Sequence, residues 1–147
     1  MYKKILLPTD GSERSRDAIK QGMAFAKWAG ATVVGFHVIQ PFSVSVFGQP
    51  VTSDVLPQNR YAEAVRHIGE TLLAEIERAA RAAGVPYSGS SVEAESPAMA
   101  IVAAAENEGC DLIIMASHGR GGLSGLLLGS QTIKVLAHCK IPVLVCR

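Results

Sequence analysis

The chain has 147 residues, 48% hydrophobic and 18% charged, a balance that excludes a disordered polyelectrolyte and fits one globular domain over residues 1–147. Lys and Arg number 14 against 13 Asp and Glu, for a net charge of +1, and 5% of residues are aromatic. Neither a basic surface for nucleic acid nor a base-stacking platform is on offer.

The first apolar run, Ile5-Leu6-Leu7, reads as a strand. A helix is expected from about Ser12 to Ala29, with Ser12 as N-cap and Gly30 just past its end. Val33-Val34-Gly35-Phe36 is a second strand. Residues 40–57 follow as a long connection with three prolines and one charge, Asp54. Two readings of this apolar segment stand: a plug folded over the next helix, or a surface that recruits another chain. The second helix spans about Asn59 to Ala83, with Val65, Ile68, Leu72, Ile76, Ala79 and Ala83 as its core stripe. Its other face carries Glu63, Arg66, Glu77 and Arg81 at ion-pair spacing.

A weaker strand runs from about Tyr87 to Val92. Ser96-Pro97 starts a third helix, as N-cap and first-turn proline, and Gly109 ends it. Leu112-Ile113-Ile114-Met115 is the fourth strand, a helix from Gly129-Ser130 to His138 follows, and Ile141–Cys146 closes the chain. Apolar runs without polar alternation belong to strands covered on both faces. The order β-α-β-α-β-α-β-α-β therefore predicts an α/β fold: a single open five-stranded parallel sheet, Rossmann-like, with helices on both faces. Such sheets bind ligands beyond the carboxyl ends of their strands.

Two loops lie there. Pro8-Thr9-Asp10-Gly11-Ser12 follows the first strand; it either meets a ribose hydroxyl or a metal, or simply makes a turn and caps a helix. The second follows the fourth strand, and six of the chain's 14 glycines fall between residues 109 and 129. Glycines let backbone N–H groups approach an anion, and the following helix start adds unpaired donors, with Ser130 and Thr132 contributing hydroxyls. No Gly-Lys-Ser/Thr and no GxGxxG is present. Ser117-His118 adjoins this loop, but neighbouring side chains make a poor nucleophile–base pair and no acid partner is indicated. His118 is read as orienting the loop or meeting a phosphate, and no catalytic residue is assigned.

Cys110, Cys139 and Cys146 are odd in number and form no CxxC, as expected of reduced thiols. No short-spaced ligand cluster suggests a metal site. The opening MYKKILLPTDGS has too short an apolar run for a signal peptide, and no run spans a bilayer, so the cytoplasm is the expected compartment.

The chain resembles the universal stress protein family over essentially its whole length, in the opening KKILLPTDGSE, in VVGFHV, and in CDLIIMASHGRGGLSGLLLGSQTIKVLAHCKIPVLV. ATP-binding members carry Gly-x2-Gly-x9-Gly-Ser/Thr after the fourth strand; here Gly119, nine residues, then Gly129-Ser130 fit, and Ala116 occupies the first glycine position. The resemblance implies an adenine-nucleotide cleft between strands one and four. Pro8, Thr9 and Asp10 would line it from the first loop; Asp10, Val38 and Met115 would hold adenosine, and Gly119, Gly129, Ser130, Gln131 and Thr132 phosphates. Ala116 either strains the backbone, if positive φ is required, or narrows the cleft by a methyl. The nucleotide expected is ATP, or AMP or ADP, with Mg²⁺ accompanying ATP and Asp10 as an indirect ligand. Hydrolysis, if any, would be slow. The resemblance also implies a stress-response regulatory homodimer formed through the C-terminal edge strand, since an unprotected edge invites pairing. The competing expectation is a nucleotide-free interaction protein that uses the 40–57 segment.

Overall fold

A computed structural model describes residues 1–41, 45–46, 49–50, 58–119 and 128–147. Its elements are β1 (Lys4–Thr9), α1 (Glu13–Ala29), β2 (Thr32–Ile39), β3 (Ser45–Val46), β4 (Gln49–Pro50), α2 (Gln58–Ala83), β5 (Tyr87–Glu93), α3 (Pro97–Asn107), β6 (Leu112–Ala116), α4 (Ser130–His138) and β7 (Val143–Cys146). The main sheet has the order β5-β2-β1-β6-β7, with every neighbouring pair parallel. The expected five-stranded architecture is the one found. β3 and β4 form a separate two-stranded antiparallel pair, which the sequence reading did not anticipate. The proposed roles of the 40–57 segment, and glycines 121, 122 and 125, otherwise lie outside the described residues.

Alternate residues of the central strands feed opposite layers. Ile5, Leu7, Val33 and Ile114 pack with Ile19, Met23 and Ala26 of α1 and Ile76 and Ala80 of α2. Leu6, Val34, Phe36, Ile113 and Met115 pack with Ile101 and Val102 of α3 and Val135 of α4. This double coverage is why the runs show no polar alternation. From β1 the chain winds outward through β2 to β5, then returns to β6 and β7 on the other side. The reversal leaves a crevice beyond the carboxyl ends of β1 and β6.

Ser12 caps α1, its hydroxyl accepting the Ser15 N–H at 3.2 Å, and Gly30 ends the helix in the left-handed region at φ 65°. Ser96 sits at the N-cap of α3 but makes no side-chain cap bond; the Ala98 N–H donates instead to Gln131 Oε1 of α4, at 3.1 Å. The predicted stripe of α2 holds only in its C-terminal half. Leu72 and Ile76 are buried, whereas Ile68 is 47% exposed. A helix of 26 residues is about 39 Å long at 1.5 Å per residue, whereas β2 has eight residues and reaches about 26 Å. The N-terminal turns of α2 therefore overhang the carboxyl edge of the sheet. On its outer face Arg81 pairs with Glu77 at 3.0 Å.

Burial also sets an alkaline limit. The Tyr87 hydroxyl donates to the Leu73 carbonyl at 3.0 Å, and burial, with Glu77 nearby, pushes its pKa up to about 12. Burial likewise raises Cys110 to about 11, against the lowering pull of Lys4 and with help from Glu108 and Asp111. The unfolded chain ionises these groups near their ordinary values of 10 and 9, so the folded state retains protons that the unfolded state has lost. Stability should fall as pH rises from about 9 toward 12. Urea midpoints followed across that range check this, and Tyr87→Phe should flatten the upper part of the decline.

Candidate functional site

The crevice is a cleft of 540 Å³. Its floor begins with the loop after β1. Thr9 Oγ1 accepts the Gly11 N–H at 3.2 Å, and Asp10 Oδ1 accepts the Ser12 N–H at 3.0 Å. Gly11 completes the turn at φ 78°, a conformation costly for a side chain. Turn-making and cleft-lining are thus both true of this loop: Pro8, Thr9 and Asp10 line the opening while shaping it. His37, the neighbour of Thr9 in β2, donates from Nδ1 to the Thr9 carbonyl at 2.9 Å, fixing the two strand ends against each other.

The opposite wall is the β6 end and the first turn of α4. The Gly129 N–H donates to the Ser117 carbonyl at 2.7 Å. A Cβ on Gly129 would stand 3.1 Å from His118 Cα and 3.2 Å from the Ser117 oxygen. The backbone conformation there, φ −74° and ψ 156°, suits any residue; space is what demands glycine. A Cβ on Gly119 would lie 2.6 Å from Asp10 Oδ2, so the two loops meet at that point. Because glycine has no side chain, α4 starts without a side-chain cap. Ser130, Gln131 and Thr132 of its first turn line the cleft, and the amides of a helix's first turn, at the positive end of its dipole, receive anions.

Three expectations change at this wall. The Thr132 side chain is buried, and its hydroxyl is directed to the Ala116 and Ser117 carbonyls at 3.1 and 3.2 Å. It fastens α4 to the end of β6 rather than offering a proton to a ligand. Ala116 is the last residue of β6, paired with Cys146; its extended backbone carries no positive-φ strain, which leaves the methyl's effect on cleft width. Ser117 Oγ and His118 Nδ1 do approach, at 3.1 Å, although adjacent in sequence. Ser117 is nonetheless buried and absent from the cleft lining, and among the described residues His118 Nε2 has no partner to orient it as a base. What separates Ser117 from a guest in the cleft is therefore its burial, not its distance from His118.

The family model of the universal stress protein family matches residues 1–147. The chain belongs to the universal stress protein family. The universal stress protein MJ0531 of Methanocaldococcus jannaschii is 35% identical over 146 residues, covering 99% of this chain and 82% of that protein. The solved structure of MJ0577, from the same organism, is 32% identical, with a TM-score of 0.81 over 99% of this chain and 95% of that one. A universal stress protein solved in complex with cAMP is 26% identical, with a TM-score of 0.72 over 99% of this chain and 97% of that chain.

In this universal stress protein all eleven residues singled out from sequence (Pro8, Thr9, Asp10, Val38, Met115, Ala116, Gly119, Gly129, Ser130, Gln131 and Thr132) line one cleft. Sequence reasoning missed the apolar wall formed by Tyr61, Val65 and Ile68 of the overhanging α2, and by Pro97 and Ile101 of α3. The excess length of α2 over the strands was the available signal for the first three. Among the described residues no group of three His, Cys, Asp or Glu side chains is disposed to hold a metal. No helix there is long and apolar enough to cross a membrane.

Proposed function

We propose that this universal stress protein binds an adenine nucleotide between the carboxyl ends of β1 and β6 and acts as a cytoplasmic regulatory module. The observation that carries the reading is the uncapped first turn of α4, opening on the cleft beside a Gly129 that has no room for a side chain. The residues fit such a guest: backbone amides for phosphate at one end, and Val38, Met115 and the α2 side chains as an apolar wall for the base. The relative bound to cAMP supports the same ligand class. ATP is the preferred guest, with AMP and ADP as close alternatives. Mg²⁺ would enter with the phosphates of ATP, with Asp10 as an indirect ligand. Among the described lining residues no Lys or Arg is available to neutralise charge developing on a transferred phosphoryl group, so the module holds its nucleotide rather than turning it over rapidly.

The β7 edge supports a homodimer. β7 is the terminal strand of the sheet, with Leu144 exposed, and a second copy pairing there would cover both the edge and that side chain.

Denaturing protein purified without added nucleotide, and assaying the supernatant by mass spectrometry, should release an adenine nucleotide. Millimolar Mg-ATP should raise the melting temperature of the emptied protein. An empty protein that shows no shift would favour the nucleotide-free interaction reading.

A further inference from the structure

Two helix N-termini reach the same cleft, and the protein treats them differently. Pro97, at the start of α3, and Ser130, at the start of α4, both line it. The α3 start is closed by the chain itself: Ser96 leaves it uncapped, and Gln131 Oε1 takes the Ala98 N–H across the gap between the helices. The α4 start, with glycine at its N-cap, has no side-chain partner. The α4 start is therefore left without the side-chain acceptor that the α3 start receives.

The same bond dictates what Gln131 shows to a ligand. A backbone N–H only donates, so the amide atom facing Ala98 is the oxygen, and the orientation of the group follows. Its other end, Nε2, carries two donors and no acceptor, and no described residue accepts from it. Gln131 is half-buried, stands at the second position of α4, and lines the cleft. We propose that the Gln131 side-chain amide, locked by Ala98, is a specificity-determining donor that selects a phosphate-bearing guest over its uncharged nucleoside. This rests on the nucleotide reading and adds to it a side-chain contact peculiar to the residue at this position. Backbone amides alone would leave the choice at 131 immaterial.

The test compares AMP with adenosine by titration calorimetry, using wild type, Gln131→Glu and Gln131→Met. A carboxylate at 131 still accepts from Ala98 and sits favourably at a helix N-terminus, so Gln131→Glu should melt no lower than wild type. It should bind AMP about tenfold or more weakly, for want of a donor to a charged group, with adenosine unchanged. Gln131→Met should lose AMP affinity in the same direction. In wild type, AMP should shift the Gln131 side-chain NH₂ resonances and adenosine should leave them in place, a readout that needs no variant. Unchanged AMP affinity in both variants, equal losses for AMP and adenosine, or unmoved Gln131 resonances with AMP bound would each overturn the proposal while leaving the nucleotide reading intact. Wild type that binds neither compound would overturn both.

Discussion

Gly129→Val is expected to abolish nucleotide binding while the sheet still folds. The position has ordinary dihedral angles, so the variant carries no φ penalty. Its first side-chain carbon, however, meets the His118 and Ser117 backbone at 3.1 and 3.2 Å, and backbone atoms cannot rotate away as a side-chain tip can. The relief available is a shift of the first turn of α4 away from β6, which moves the amides of the cleft-lining residues Ser130, Gln131 and Thr132. Losing two hydrogen bonds to a charged phosphate, at about 1.5–3 kcal/mol each, weakens binding by about a hundredfold or more. Calorimetry with AMP and ATP measures the loss, and circular dichroism checks the fold. Gly30→Ala supplies the control for stability alone. Gly30 has φ 65° and nothing within 4 Å of a Cβ, at the far end of the sheet from the cleft. A side chain in that conformation costs about 1–2 kcal/mol, and nucleotide affinity should not change. Retained affinity in Gly129→Val would remove the phosphate site from the start of α4.

Ile113→Ala should produce the largest loss of stability. Ile113 is fully buried in β6, between Leu6 of β1 and Val143 of β7 in register, and packs in the layer beneath α3 and α4. Truncation removes three carbons from a site walled by two neighbouring strands and a helix layer, where collapse is limited. Such substitutions cost about 2–5 kcal/mol, against a total of about 5–15 kcal/mol for a typical domain. The melting temperature should drop by roughly 10 °C. In urea the midpoint should fall with the slope unchanged, the signature of a lost core contact rather than an altered unfolded state. A loss below about 1 kcal/mol would contradict the packing described for this layer.

Much of the scaffold was legible because its signals are local. Ser12 and Gly30 bracket α1 through bonds made within a few residues, and the unbroken run Leu112 to Met115 announced a strand covered on both sides. The glycine spacing ending at Gly129-Ser130 marked the loop that closes on the cleft. Reading Ser96 as a working cap failed because the Ala98 N–H finds its acceptor in Gln131, 33 residues further along the chain. Reading the whole of α2 as core-facing failed for a related reason. Periodicity tells which side of a helix is apolar, not where the sheet beneath it ends.

The amino-acid order alone therefore determined the α/β alternation, the parallel sheet and the two loops at its carboxyl edge, since hydrophobic period and helix capping act over a few residues. Tertiary structure decided which donors remain for a guest. Thr132 turned its hydroxyl inward to two carbonyls, Gln131 closed α3, and the α4 amides were left open. Whether a polar group is satisfied depends on what the crossovers bring within 3 Å or so, and that distance is not written in the spacing of residues along the chain.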